Sequence, residues 1–219
     1  HEQQLTLSKI TRELHKHFAL PDSLRRWALM PRMTLMLCIT LLTQPALADW
    51  THDNERSIQN FNSNKNASIG EVHRFRSLAG SISDEGAVRL VIDLDRVETL
   101  MPIRNQRMRE LLFETVRFPS ATLEASVPAA LTQLEAGERR IARIDVALEL
   151  HGSSRDYAVE VLVSRGADDS LEVALREPLI LRAADFGLEA GVGILQEVAG
   201  LKSISTAVPV SAQLVFVQE

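Results

Sequence analysis

DLDRVETLMPIRNQRMRELLFETVRFP, residues 93–119, is the stretch of this sequence that decides the fold. Apolar side chains alternate with polar ones from Val88 to Leu94, just before and at the start of this stretch. A period of two predicts a β-strand with one buried face. The stretch therefore begins as a strand, and the structure that follows this strand determines the kind of sheet.

The period changes after Leu94. Pro102 stands where a first helical turn would begin, and Pro119 marks a break further on. Between them the pattern predicts one short amphipathic helix, with these apolar residues among four charged ones: Met101, Met108, Leu111, Leu112 and Phe113, among Arg104, Arg107, Arg109 and Glu110. A helix inserted into a strand-rich chain must cover part of the sheet, and which part it covers is the functional question.

Strand patterns account for most of the remaining chain. The clearest runs from Tyr157 to Val163, and a strong one closes the chain from Val208 to Val217. About eight such strands recur at a spacing of roughly 10–15 residues, and a second short helix is predicted over residues 191–201. This pattern predicts an all-β fold, either an antiparallel sandwich or a barrel.

Charge and composition exclude one class of partner. Residues 49–219 hold 18 basic and 26 acidic side chains, a net charge of −8. Phosphate backbones are bound by basic surfaces, so no nucleic-acid partner is expected. Aromatic residues make up only 5% of the chain, so the core is expected to be aliphatic.

Residues 25–48 have the features of a secretory signal peptide. Arg25, Arg26 and Arg32 precede an uncharged apolar run from Met33 to Leu42. Ala46-Leu47-Ala48 then supplies small residues for a cleavage site. The sequence predicts cleavage after Ala48, an exported domain over residues 49–219 and no stable membrane span after cleavage, since a span needs about 20 apolar residues.

No motif of a known enzyme class is present. The sequence has no G-x-S-x-G, no Walker A loop, no H-E-x-x-H and no C-x-x-C. The histidines of the exported part, His52, His73 and His151, are isolated, so no metal site, cofactor or catalytic residue is predicted. The best polar candidates are Arg104, Arg107 and Arg109, either as partners of an anionic headgroup at a cavity mouth or, for at least two of them, as a solvated helix face.

Three ordered motifs resemble the YceI-like family over residues 50–219. The first comprises Asp95-Arg96-Val97-Glu98-Thr99, the run from Arg104 to Arg109, Leu112-Phe113 and Phe118-Pro119. The second is the run from Leu148 to Arg155, which contains His151-Gly152, and the third is Ala184-Asp185-Phe186-Gly187-Leu188. Two departures are Asn105, where the family usually has Asp, and Ser153, where Val is common.

The resemblance implies an exported, lipocalin-like, eight-stranded antiparallel barrel with one or two short helices. It also implies an apolar interior that holds an isoprenoid chain in the periplasm. Met108, Leu112 and Phe113 are expected to close one end of the barrel, with Arg104 and Arg107 facing its opening. The expected ligand-binding residues are Leu90, Ile92, Met108, Leu112, Phe113, Phe118, Leu148, Val159, Val161, Phe186, Leu214, Phe216, Arg104 and Arg107.

The leading hypothesis is a periplasmic binding or carrier protein for an amphiphilic lipid: a polyisoprenoid, an isoprenoid quinone or a fatty-acyl compound. The barrel would bury the tail and do no covalent chemistry. The alternative is an envelope stress or interaction protein whose barrel is filled by the same Val, Ile and Leu side chains. A hydrolase or isomerase acting on a lipid ranks third, and a homodimer is left open.

Overall fold

One continuous antiparallel sheet dominates the computed structural model, which describes residues 50–83 and 85–218. The predicted signal peptide and its cleavage site lie outside these residues. The described strands are β1 (Trp50–His52), β2 (Ile58–Lys65), β3 (Ile69–Phe75), β4 (Leu78–Ile82), β5 (Ala87–Asp93), β6 (Val97–Glu98), β7 (Ser120–Ser126), β8 (Arg139–Leu150), β9 (Ser153–Arg165), β10 (Leu171–Leu175), β11 (Leu179–Arg182) and β12 (Ala207–Val217).

The sheet closes on itself because β12 pairs with β10 and β11 along one edge and with β1 and β2 along the other. Four neighbouring pairs of segments, β1/β2, β3/β4, β5/β6 and β10/β11, are each one barrel strand interrupted by a bend. The ring therefore has eight positions: β1/β2, β3/β4, β5/β6, β7, β8, β9, β10/β11 and β12. The predicted all-β, eight-stranded antiparallel barrel is confirmed.

The β8–β9 hairpin shows how the sequence sets the strand register. Leu150 pairs with Ser153, so the connection has two residues, His151 and Gly152. Both have positive φ, +52° and +74°. A two-residue turn with φ positive at both positions matches the twist of antiparallel strands. The turn places Leu148 and Leu150 on the same inner face as Tyr157 and Val159.

Residues 93–119 hold the end of β5, the short strand β6 and a helical segment, and the return strand β7 begins directly after them at Ser120. Helix α1 (Pro102–Arg107) begins at Pro102, and a π-helix (Met108–Phe113) continues it without a break. Glu114, in the left-handed conformation, ends the segment five residues before Pro119. The predicted single helix is thus half α and half π.

The second predicted helix is α2 (Glu189–Val198), which begins and ends two to three residues earlier than the sequence pattern indicates. It packs on the π-helix at Gly191, where an added Cβ would lie 2.7 Å from the Leu111 carbonyl oxygen. Val192 and Leu195 pack against buried residues, whereas Ile194 and Val198 are exposed. Among the described residues no helix is long and apolar enough to cross a membrane.

Two buried clusters occupy opposite ends of the barrel. At the helical end, Met108, Phe113 and Phe186 pack with the inner faces of the strands. At the other end, Trp50, Leu131 and Leu134 are buried together, and the Arg165 guanidinium lies 4.4 Å from the centre of the Trp50 ring. Both ends of the barrel are therefore covered by side chains, and the site lies between them.

Candidate functional site

A cavity of about 280 Å³ lies inside the barrel, between the two buried clusters. A single water needs roughly 10–15 Å³ of such space, so this interior has room for many more atoms than one water. Apart from Gln59 and Arg182, every residue that lines the cavity is apolar. The aliphatic side chains come from the inner faces of the strands, where the period of two places them.

Ten of the fourteen sequence-predicted site residues line this cavity. They are Leu90, Ile92, Leu112, Phe113, Leu148, Val159, Val161, Phe186, Leu214 and Phe216. They come from strands β5, β8, β9 and β12, from the π-helix and from the short turn Ala183–Phe186. Strand periodicity therefore brings residues from distant parts of the chain to one surface.

Leu112 and Phe113 are the part of the helical segment that faces the cavity. Phe113 is 6% exposed, and its ring centre lies 5.7 Å from that of Phe75, another lining residue. Leu188 and Val192 continue the same cover, the latter from α2. The expectation that the helical segment closes one end of the barrel agrees with this geometry. Met108 is buried in the same cluster but does not line the cavity.

Phe118 lies outside the cavity, contrary to expectation. Its ring packs on the β8–β9 turn, 4.4 Å from the centre of the His151 ring, and it blocks the space where Gly152 would carry a Cβ. The Arg117 guanidinium lies 4.9 Å from its ring centre on another side. Phe118 therefore packs against the β8–β9 turn and not on the cavity lining.

The expectation for Arg104 and Arg107 is corrected as well, because neither lines the cavity. Arg104 forms an ion pair with Glu71 on β3, and its Nε donates to the Thr99 hydroxyl at 3.1 Å. Arg107 donates to the Val198 carbonyl at 3.4 Å, at the end of α2. Both side chains join the helical segment to its neighbours and lie off the cavity lining.

Glu71 and Asn105 complete this set of contacts. Burial alone would raise the pKa of Glu71, but hydrogen bonds from Lys65 and Arg104 outweigh burial and lower it. Asn105 accepts from the Thr99 amide at 2.8 Å, and its Nδ2 donates to Glu98 at 3.2 Å. A carboxylate at position 105 could not make that donation. An amide at position 105 thus suits a chain with Glu98 next to it.

The barrel wall is divided between β9 and β11. Strand β10 pairs with β9 from Leu171 to Leu175, after which the chain bends at residues 176–178. Among the described strands, β11 pairs with β12 alone. The first half of β9 therefore has no strand partner on this side, and we call the boundary between residues 153–159 and β11 the seam. The turn Ala183–Phe186 covers its end, where the His151 ring contacts the Phe186 carbonyl at 3.2 Å.

Arg182 and Tyr157 are two of the polar residues at the seam, and the sequence did not single out either one as a polar site residue. Arg182 is exposed and lines the cavity. The Tyr157 hydroxyl is buried and has no hydrogen-bond partner among the described residues. Burial, followed by the charge of Asp185, raises the pKa of Tyr157, while Arg155 and Arg182 oppose the rise. Alternation along β11 puts the exposed Arg182 side chain on the outer face, so Arg182 borders the cavity without its charge facing it, and no sequence signal identifies it.

Metal-ligating side chains do not converge in the described part of the chain, where no group of three or more His, Cys, Asp or Glu residues could hold an ion. His52 and His73 are buried, and burial lowers the pKa of both. His52 packs edge-on against Phe216, with ring centres 5.6 Å apart. These histidines are therefore neutral parts of the barrel packing at neutral pH.

An eight-stranded antiparallel barrel with a helical cover and an apolar interior defines the class of lipocalin-like barrels, which have room for one small ligand. Within this class, the model of the family described as the YceI-like domain matches residues 50–216. The chain belongs to the YceI-like family. None of the curated proteins matches it.

Solved structures support the same assignment. A polyisoprenoid-binding domain from Saccharophagus degradans, implicated in plant cell wall breakdown, is similar with a TM-score of 0.77 and 38% sequence identity, covering 78% of this chain and 99% of that one. Burkholderia cenocepacia BcnA matches with a TM-score of 0.57 and 14% identity, covering 75% of this chain and 98% of its own. The second likeness shows the fold alone.

Proposed function

We propose that this protein is a periplasmic binding or carrier protein for an amphiphilic lipid with an isoprenoid-type tail, held inside the barrel. The observation that carries the proposal is the cavity of about 280 Å³ with an apolar lining. Burying a tail there would contribute about 0.8 kcal/mol per CH₂. Shape and apolar contact, rather than covalent chemistry, would hold the lipid.

The lining residues define the proposed site. The ten predicted residues that surround the cavity would contact the tail, and Leu188 and Val192 would cover it at the helical end. The similar domain from Saccharophagus degradans is described as polyisoprenoid-binding, which favours a prenyl tail over other apolar ligands. Periplasmic export is proposed from the signal-like residues 25–48.

Binding is proposed in preference to catalysis because of what faces the cavity. Arg182 is the one titratable side chain among the lining residues of the described chain. A guanidinium stays protonated and cannot act as a general base. A hydrolase or isomerase would need a base or nucleophile next to the bound lipid.

The alternative function, an interaction protein with a filled barrel, requires side chains to occupy the interior. An apolar cavity of about 150 Å³ is known to hold benzene, and the cavity in this barrel is about twice as large. The interior thus favours the lipid-binding proposal. Sedimentation of the mature protein, with and without lipid, would distinguish a monomer from a homodimer.

Extraction is the direct test. The mature protein, purified from periplasm without detergent, would be extracted with organic solvent, and the extract analysed by mass spectrometry. We expect one prenyl lipid per barrel, and reloading of the delipidated protein from prenyl lipid supplied in solution. No lipid in the extract together with no uptake of any supplied prenyl lipid would overturn the proposal.

A further inference from the structure

A connection between two strands closes the cavity at the end away from the helices. Strand β7 ends at Ser126, and β8 begins at Arg139. Between them, Leu131 and Leu134 are 7% and 6% exposed. Of these two leucines only Leu131 lines the cavity. Leu131 is therefore the buried leucine of this connection that a ligand in the cavity would meet.

The connection reaches across the end of the barrel. Strand β1 lies four positions away from β8 in either direction around the ring. Trp50 of β1 nevertheless shares one buried cluster with Leu131 and Leu134. On the Trp50 ring stacks the Arg165 guanidinium, which also pairs with Asp169 at 3.2 Å. We call Leu131, with Leu134 and Trp50 behind it, the floor of the cavity.

Strand pairing fixes the wall around the floor. Each of the strands at this end is hydrogen-bonded to both of its neighbours, in the closed order β1, β4, β5, β7, β8, β9, β10 and β12. A closed ring has no free edge through which a chain could leave. The connection, by contrast, is held by a short 3₁₀ turn, Ala129–Leu131. The connection therefore sets the depth of the cavity at this end.

The floor suits the apolar end of a lipid. Gln59 and Arg182, the lining residues that are not apolar, lie beside the middle and the start of β12. Near the end of β12, Phe216 lines the cavity and is 2% exposed. A polar headgroup buried there without partners would lose its hydration, a cost that a terminal methyl group does not carry. A bound lipid would therefore place the end of its tail against Leu131.

We propose that Leu131 determines tail-length specificity: it sets the longest tail that the barrel buries, and a longer tail binds no more tightly than one that just reaches the floor. This inference rests on the proposed function, since it assumes a tail in the cavity. By the comparison with benzene, the cavity of about 280 Å³ holds about a dozen carbon atoms. Each buried CH₂ should raise the affinity about fourfold until the tail reaches the floor, and further CH₂ groups should add nothing.

The test uses straight-chain primary alcohols from octanol to octadecanol, which lengthen the tail by one CH₂ at a time. Their affinity for the delipidated mature protein is measured by displacement of a fluorescent apolar dye, with farnesol as the reference ligand. We expect the logarithm of the affinity to rise linearly with chain length and to stop rising at one length, the break point, near about twelve carbons.

Two substitutions of Leu131 move the floor in opposite directions. Leu131→Ala removes three carbons, so the break point should rise by about three carbons, and tails of that length should bind about 60-fold more tightly than they bind the wild type. Leu131→Phe adds three carbons, and the break point should fall by about as many.

Leu134→Ala is the matched control. It removes the same three carbons from a similarly buried site of the same connection, but this site does not line the cavity. The melting temperature should fall about as much as in Leu131→Ala, because both variants leave a space in the same cluster. The break point of the control should stay at the wild-type length.

The outcomes separate this inference from the proposed function. An unchanged break point in either folded Leu131 variant, or an equal rise in Leu134→Ala, would overturn the role of Leu131 while lipid binding stands. Affinity that keeps rising with length in the wild type would also overturn it, as would binding of farnesol without binding of any straight-chain alcohol. Failure of farnesol and of every straight-chain alcohol to bind would instead remove the proposed function.

Discussion

Ala125→Phe should weaken lipid binding without unfolding the barrel. Ala125 lies on β7, opposite Val88 on β5 and Val146 on β8, and all three line the cavity. A phenyl ring added there would project into the apolar interior. Because a cavity of about 150 Å³ holds one benzene molecule, the ring would fill about half of the 280 Å³ present.

The expected loss of lipid affinity follows from the cavity volume that the new ring occupies. By the same comparison the wild-type cavity accommodates about a dozen carbon atoms, and the variant about six. At about 0.8 kcal/mol per CH₂, displacing six carbons costs up to about 5 kcal/mol. A tail that shifts towards the seam would recover part of this, so we expect at least about 2 kcal/mol, or roughly 30-fold weaker binding.

The assay is farnesol titration by calorimetry, with thermal unfolding measured on the same samples. The matched control is Ala158→Phe, which places the same ring on the exposed outer face of β9. We expect the control to bind like the wild type. The melting temperature of Ala125→Phe should be equal or higher, because the new ring fills space in an apolar core. A folded Ala125→Phe protein that binds farnesol as tightly as the wild type would refute the cavity as the binding site.

Three further predictions concern stability. Gly191→Ala should destabilise the protein by about 1–3 kcal/mol, because the new Cβ would lie 2.7 Å from the Leu111 carbonyl oxygen. Gly193→Ala should stabilise it by about 0.5–1 kcal/mol, because no atom lies within 4 Å of the new Cβ and alanine favours the helix. Glu71→Gln should lower the free energy of unfolding by about 1–2 kcal/mol at pH 7, measured by urea unfolding. Because the pKa of Glu71 is lowered in the folded state, the difference between variant and wild type should disappear as the pH falls through that pKa. His52→Phe should make stability less dependent on pH just below about 6.5, because the buried histidine of the wild type resists a proton that the unfolded chain accepts.

Each of these has an outcome that contradicts it. Equal effects of the two glycine substitutions would mean that α2 is not held against the π-helix at Gly191. A cost of Glu71→Gln that is the same at pH 7 and pH 3 would show that its carboxylate charge contributes nothing. A His52→Phe protein whose stability falls as steeply with acid as the wild type would assign the acid sensitivity to other groups, with His73 the first to examine.

The barrel was predictable from the sequence because inner-face positions repeat every two residues, and the repeat is visible without knowing which strands pair. Val159 and Val161, for example, could be assigned to the interior from their own strand alone. The helical cover was predictable for a similar reason, since the period changes at Leu94 and Pro102 marks where a helix can begin. The π-helix was not predictable, because the sequence pattern does not distinguish it from an α-helix.

The polar part of the candidate site was not predictable, since it depends on contacts between distant segments. Arg104 has Glu71 as its partner, which lies on β3 and becomes a neighbour only when the barrel closes. Arg182 borders the cavity at the end of β11, which follows the bend after β10, although alternation places its exposed side chain outside. Phe118 was misassigned for a third reason: an aromatic residue at a turn can pack on the turn itself, as it does on His151.

Within residues 93–119, some side chains cover the end of the barrel and others hold the helical segment in place. A closed barrel has no free edge, and therefore neither entry for a ligand nor an exposed strand that invites aggregation. In this chain the helical segment covers one end through Leu112 and Phe113, and one ion pair of Arg104 and hydrogen bonds of Arg104 and Asn105 fix its outer side. Opening this cover would require these contacts of Arg104 and Asn105 to break. The seam, by contrast, lacks strand pairing between the first half of β9 and β11, and the turn Ala183–Phe186 packs at its end.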